Sequence, residues 1–252
     1  MSAAVTRRRA KHEGGFSLIE LLIAMAITLL LSAALAGVAQ PARAAFDAVP
    51  AELELQQRGR TAIEVLSQAL RASLRIPGAA GVVTELTAIV PADSAARGVL
   101  WIDQPGPGGV ITLGTEHCPY INDVCGFTPG ATVMIEDGQS YEVFSIAATD
   151  VAARRVTPAS ALSQWYPSGS TVVEVDQLTF QLAAQPDGSY SLIRETAAGA
   201  VQPIVDSIGA LSFEVTARHV DVWISVEPSA ASPRPLVNGR TFRTSVTLRN
   251  TP

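Results

Sequence analysis

Glu13-Gly14-Gly15-Phe16-Ser17-Leu18-Ile19-Glu20-Leu21-Leu22-Ile23-Ala24-Met25 joins a basic leader to a long apolar segment. Arg7, Arg8, Arg9 and Lys11 precede the two glycines, opposed in charge by Glu13. From Phe16 to Ala39 the polar residues are Ser17, Glu20, Thr28 and Ser32. At a helical rise of about 1.5 Å per residue this stretch spans roughly 36 Å, enough to cross the hydrocarbon core of a bilayer. The basic flank belongs on the cytoplasmic side, so the rest of the chain is expected outside. Glu20 breaks the pattern. An ionised carboxylate in hydrocarbon loses its hydration, so such a residue calls for a partner.

Two simpler readings compete. A secretory signal peptide has a basic start, an apolar middle and a small-residue cleavage site, and Ala42-Arg43-Ala44 would serve as that site. The apolar run nevertheless exceeds the ~7–15 residues usual for such a signal, and Glu20 interrupts its beginning. An ordinary single-span anchor explains the hydrophobicity but neither Gly14-Gly15 nor Glu20.

Gly15-Phe16-Ser17-Leu18-Ile19-Glu20 resembles the type III signal of type IV pilins and type II secretion pseudopilins. In that family a membrane aspartyl peptidase, the prepilin peptidase, cuts after the glycine and methylates the new amino terminus. The resemblance implies a cut between Gly15 and Phe16, with Phe16 as the N-methylated first residue. It further implies partners: prepilin peptidase, the inner membrane, and other minor and major pilin subunits reached through the N-terminal helix. A neighbouring subunit's Glu20 would then neutralise the Phe16 amine as helices pack into a filament. At low effective dielectric such a pair is worth on the order of 4 kcal/mol at ~4 Å, and desolvation offsets much of it. Its effect is on register, because an undocked Glu20 is penalised and a docked one is not.

With 252 residues and 48% hydrophobic content the chain can bury a core beyond its anchor. Loss of residues 1–15 removes four of the 18 basic and one of the 23 acidic residues. That leaves 14 against 22, a formal charge of −8. The balance argues against nucleic acid as a main partner. Arg58, Arg60, Arg71 and Arg75 share one helical segment and read as a solvated or partner-facing side. Lys11 is the one lysine, so the mature chain has no Walker-A lysine and no Schiff-base nucleophile. Gly106-Pro107-Gly108-Gly109 therefore reads as a turn.

Cys118 and Cys125 are the two cysteines. Outside a membrane, two near cysteines pair as a disulfide, and closing so short a loop stabilises by roughly 2–3 kcal/mol. The alternative is a metal site of His117, Cys118, Asp123 and Cys125, whose spacing matches no common zinc pattern. The expectation is a disulfide, with no metal and no cofactor.

Pro41 is expected to end or kink the first helix. A second helical pattern runs through 52–77, with Ile63, Leu66, Leu70 and Leu74 on one face and Pro77-Gly78 as the stop. Beyond it the period changes to two. Leu100–Asp103, Thr132–Glu136, Tyr141–Ile146, the Leu178-Phe180-Leu182 alternation, Tyr190–Arg194, Val220–Val226 and Phe242–Leu248 read as strands. Asp137-Gly138 is a hairpin signal, Pro186-Asp187-Gly188 a turn, and Pro228 to Asn238 a proline-bearing loop. The fold expected is α+β, a long helical stalk followed by a mostly antiparallel β head. Its divisions are a leader (1–15), a transmembrane helix and filament core (16–39), a kink or linker (40–51), an amphipathic helix (52–77) and a globular head (78–252).

This layout strengthens the resemblance. Arg60–Ile76, Gly130–Ile135 and Thr244–Asn250 are most similar to PilW-type minor pilins and J-type minor pseudopilins. A catalytic constellation is absent from the sequence: no Gly-x-Ser-x-Gly, no His-Glu-x-x-His, no CxxC. His219 reads as a turn or surface residue, and Glu136-Asp137 as solvated turn acids. Trp101, Trp165, Trp223 and Tyr166 have two readings, a sugar- or partner-binding surface or a buried core. The expected function is that of a minor pilin or pseudopilin, non-enzymatic, in a type IV pilus or type II secretion filament. The rivals are an adhesive or DNA-uptake pilin whose head binds a ligand, and a secreted protein cleaved after Ala44.

Overall fold

The computed structural model describes residues 17–78, 80–93, 96–103, 109–115, 118, 124–216, 219–228 and 238–248, with backbone alone at 41, 42 and 44–48. The chain divides into two compact units, Met1–Ala51 and Glu52–Pro252. One helix, α1 (Leu18–Ala72), begins in the first unit and ends in the second. The stretch 40–51, expected as a kink or linker, has helical backbone through Pro41 and Pro50. A proline costs one backbone bond and crowds the carbonyl four residues back. For Pro41 that residue is Gly37, whose backbone is the freest to relax. The alanines at 42, 44, 45, 48 and 51 are the strongest helix formers, and they hold the turns around both prolines.

Helix α1 stops at Ala72, five residues before Pro77. Ser73 closes it by donating both its N–H (3.3 Å) and its hydroxyl (2.7 Å) to the Leu70 carbonyl. The chain then turns into sheet pairing: Leu74 N–H bonds the Ile89 carbonyl at 2.7 Å, and Ile89 N–H bonds the Arg75 carbonyl at 2.9 Å. A competing strand partner ends the helix before proline does.

The strands that follow are β1 (Gly81–Val83), β2 (Leu86–Pro91), β3 (Arg97–Val99), β4 (Ile111–Thr112), β5 (Thr132–Glu136), β6 (Tyr141–Asp150), β7 (Arg155–Pro158), β8 (Thr171–Ala184), β9 (Tyr190–Thr196), β10 (Val201–Val205), β11 (Ile208–Val215), β12 (His219–Val226) and β13 (Arg240–Thr247). A four-stranded sheet runs β1-β11-β12-β13, and a larger sheet runs β10-β9-β8-β5-β6-β7-β4, with β2 and β3 also pairing β8. Every described pair is antiparallel, as the period-two reading requires. The chain is therefore an α+β protein with an N-terminal apolar helix and a mostly antiparallel β head.

Three core clusters share β8, the smallest being Ile89, Met134, Val173 and Val175. In the first, Leu55, Ala62, Leu66 and Leu70 of α1 pack on Phe180, Leu192, Phe213, Val222, Ile224 and Val246. Ile63 is only half-buried, and Leu74 has left the helix, so the buried face is rotated from the one expected. Gly59 lets α1 approach the sheet: a Cβ there would stand 2.2 Å from the Phe242 ring. The second cluster gathers Ile111, Leu113, Cys125, Val133, Ile135, Tyr166 and Val172.

Strand Thr132–Glu136 forms where the sequence places it, and its hairpin turns at Asp137-Gly138 with Glu136 opposite Tyr141. Leu100–Asp103 does not form a strand. Leu100 makes one bridge to Leu113, and residues 101–103 are bend and coil, because the Leu100 backbone is taken by Ser170 and Gly169. Most of the loop from Pro228 to Asn238 (229–237) and three residues of the 106–109 turn (106–108) lie outside the described residues.

Candidate functional site

Ser17 caps α1. Its carbonyl accepts the N–H of Glu20 at 3.0 Å and of Leu21 at 3.1 Å, which makes Glu20 the third helical residue. A carboxylate in the first turn faces the positive end of the helix dipole. Ser17-x-x-Glu20 also has the spacing of a capping box, a start signal present in the sequence and not exploited in reading it. The box is not closed: the Glu20 carboxylate makes no hydrogen bond or ion pair among the described residues.

The segment Leu18–Gln40 is long and apolar enough to cross a membrane, and none of it is buried. Leu18, Leu29, Leu30, Leu35 and Val38 stand exposed around its circumference. A soluble core helix would have buried one face. Thr28 satisfies its own hydroxyl by donating to the Ala24 carbonyl at 2.7 Å. Glu20 is the one charged residue in the segment, and nothing in the helix compensates it. What the arrangement can do is accept a cation from another molecule. Gly15 and Phe16, the residues of the expected cut and methylation, lie outside the described residues.

In the head, Cys118 and Cys125 form a disulfide with Cα atoms 4.5 Å apart. Cys125 is wholly buried in the second core cluster and adopts a positive φ of 57°, next to Gly126 at 84°. The joined sulfurs are not thiolate ligands, while His117 and Asp123 of the metal alternative lie outside the described residues.

Arg75 corrects the reading of the arginines as one exposed side. It is buried just past α1, its guanidinium 3.2 Å from a Glu136 carboxylate oxygen and 5.6 Å from the Tyr141 ring centre. Its Nε has no partner. Glu136 is thus an ion-pair residue, whereas Asp137 is the solvated turn acid. The Ser140 and Gln139 N–H groups on its carboxylate hold the Asp137 pKa below its ordinary value. Arg58 pairs with Glu54, whereas Arg60 and Arg71 are exposed and make no ion pair. His219 sits exposed at the start of β12, its Nδ1 3.2 Å from the Thr247 hydroxyl.

The aromatic residues separate. Tyr166 is fully buried, and desolvation pushes its pKa to about 12. Trp223 is half-buried under the Arg243 guanidinium, 4.9 Å from its ring centre. Trp101 is 61% and Trp165 50% exposed. Asp103 accepts the Ser168 N–H at 2.8 Å, which brings the short segments bearing these two indoles side by side.

The family model of the prokaryotic N-terminal methylation motif matches residues 10–36. No curated protein and no solved structure matches the chain. The matched stretch contains Gly15, Phe16, the Ser17 cap and the unpaired Glu20, and it opens the one exposed apolar helix of the described residues. The motif match and the apolar helix together support a type IV pilin-like protein that carries a prepilin-peptidase processing signal at the head of an N-terminal apolar helix.

Proposed function

We propose that this chain is a minor subunit that primes or assembles a type IV pilus or type II secretion pseudopilus. It enters the inner membrane with its head outside, is cut after Gly15 and is methylated on Phe16. It then joins sibling and major subunits through α1. The head supplies contact surfaces, and no catalytic step is part of the role. A head of 180 residues beyond α1, with three core clusters, supports a minor subunit over a small repeating one.

One observation carries the reading: Glu20 is the sole charge in the exposed apolar span Leu18–Gln40 and has no partner among the described residues. The amine released at Phe16 of an adjoining subunit is the cation of matching chemistry and depth. Glu20→Ala is expected to leave membrane insertion and Gly15 cleavage intact and to lower recruitment into the filament. Normal co-purification of that variant with sibling subunits would falsify the pairing. An adhesive subunit is the second reading, favoured by the exposed Trp101 and Trp165. Trp101→Ala with Trp165→Ala would then abolish surface attachment while pilus number stays normal.

A further inference from the structure

Strand β13 ends the four-stranded sheet, so its outer edge pairs with no described strand. Free edges are templates for another chain, and proteins blunt them with short strands, prolines or bulges. The other sheet ends follow that rule. Strand β1 has three residues and β4 two, while β10 carries Pro203 and a register shift beside it. Strand β13 has eight residues, no proline, and an unbroken register with β12 from Arg240 to Thr247. Its two charged side chains do not guard the edge. Arg243 lies over Trp223 and reaches Asp221 at 3.6 Å, and Arg240 pairs with Glu52.

Beside this edge is a groove of about 770 Å³, bounded by Thr244 of β13 and by Arg60, Glu64, Ser67 and Arg71 along the flank of α1. Phe242, Thr244 and Val246 alternate on the face of β13 that meets the helix, with Phe242 against Gly59 and Val246 in the core. Thr244 is therefore common to the strand that ends the sheet and to the groove along the flank of α1. A strand needs about 4.8 Å of lateral space, and the side chains on one of its faces would meet the helix flank.

The charge of the groove defines the occupant. Arg60 and Arg71 are exposed and make no ion pair with a described residue, and the exposed Glu64 lies between them along the helix. They stand about 16 Å apart along the helix at its rise of about 1.5 Å per residue. This is a cationic strip on a mature chain of formal charge −8. We propose that the edge of β13 takes up an extended, acidic segment of a different filament subunit as a fifth antiparallel or parallel strand. Its main chain would pair with β13, and acidic side chains on its inner face would meet Arg60 and Arg71. Backbone pairing supplies affinity and the alternate side chains supply selectivity. The inference rests on the filament-subunit reading above.

The test places a photoreactive benzoyl-phenylalanine at Thr244 of the full-length chain in host membranes, with cross-linked peptides mapped by mass spectrometry. The expected product joins position 244 to an acidic, extended segment of another subunit that bears a Gly-Phe leader. Arg60→Glu with Arg71→Glu should lower its yield about tenfold, the loss of two exposed charge contacts, at unchanged thermal stability. Cross-links to the chain's own 229–237 or 249–252 segments, to a second copy, or to nothing would overturn the proposal. So would an undiminished yield in the charge-reversed protein. The mass of the mature chain from the same membranes separates the two readings. A start at Phe16 without the cross-link overturns the strand slot alone, and a start at Ala45 overturns the filament reading.

Discussion

Arg75 and Glu136 show how a residue's role depends on where the chain stops being helical. Had α1 continued to Pro77, Arg75 would have faced solvent with the other arginines. The helix ends at Ala72 instead, and the pairing with Ile89 turns Arg75 inward to Glu136 and Tyr141. Removing one member of a largely buried pair strands the other, whereas removing both does not. Arg75→Met is expected to lower head stability by roughly 1–3 kcal/mol, and Glu136→Gln added to it should restore part of that loss in thermal denaturation. Equal destabilisation by the single and double variants would show that the pair is not coupled. At Asp137 the Ser140 and Gln139 N–H groups hold the pKa below 3.8. At Asp187 the Ser189 hydroxyl and N–H do the same. A depressed folded pKa gives stability that is present above the unfolded value and lost as pH falls through the folded one. The melting temperature should therefore fall as pH drops below 3.8, and Asp137→Asn with Asp187→Asn should flatten that fall. None of the Arg75 geometry was legible in the sequence, because its partner lies 61 residues away. Asp137 was legible as a turn acid, because its partners are its own neighbours.

At the scale of elements, period-two alternation in Val220–Val226 and Phe242–Leu248 read directly onto β12 and β13; the inward face of β12 is fully buried, while in β13 Val246 is buried and Phe242 and Thr244 are half-buried. Amphipathic strands on one solvated sheet announce themselves in this way. Leu100–Asp103 misled, since an apolar run of that length is also compatible with a bend held by Gly169 and Ser170. Helical backbone continues through Pro41 and Pro50, so proline does not end the helix there, where a run of alanine outweighs a single lost bond. Gly59 reads in sequence as a weak point in a helix, and in the fold it is a seat for the Phe242 ring. Gly59→Leu is accordingly expected to destabilise the head by about 1–3 kcal/mol through overpacking, despite a better helix propensity. Phe242→Ala in the same chain should recover part of the loss; an unchanged melting temperature for Gly59→Leu alone would contradict this seat. The disulfide ties Cys118 to Cys125, which is wholly buried in the second core cluster.

For the whole molecule, the described fold gives each half a different solvent problem. Leu18–Gln40 of the first unit exposes apolar side chains all round and carries one charged residue, Glu20, so it requires lipid or neighbouring helices. The second unit holds three core clusters and exposes charge, indoles and one long strand edge. In the proposed role, assembly follows from the first unit and the choice of neighbours from the second. The methylation motif was legible in sequence because such a signal is contiguous. The groove beside β13 was not, since it forms only when α1 lies beside that strand. The most direct measurement is the intact mass and N-terminal sequence of the protein purified from its host membranes. The account predicts a chain that begins at Phe16 and carries one added methyl group on its amine. A chain that begins at Ala45, or retains residues 1–15, would contradict it.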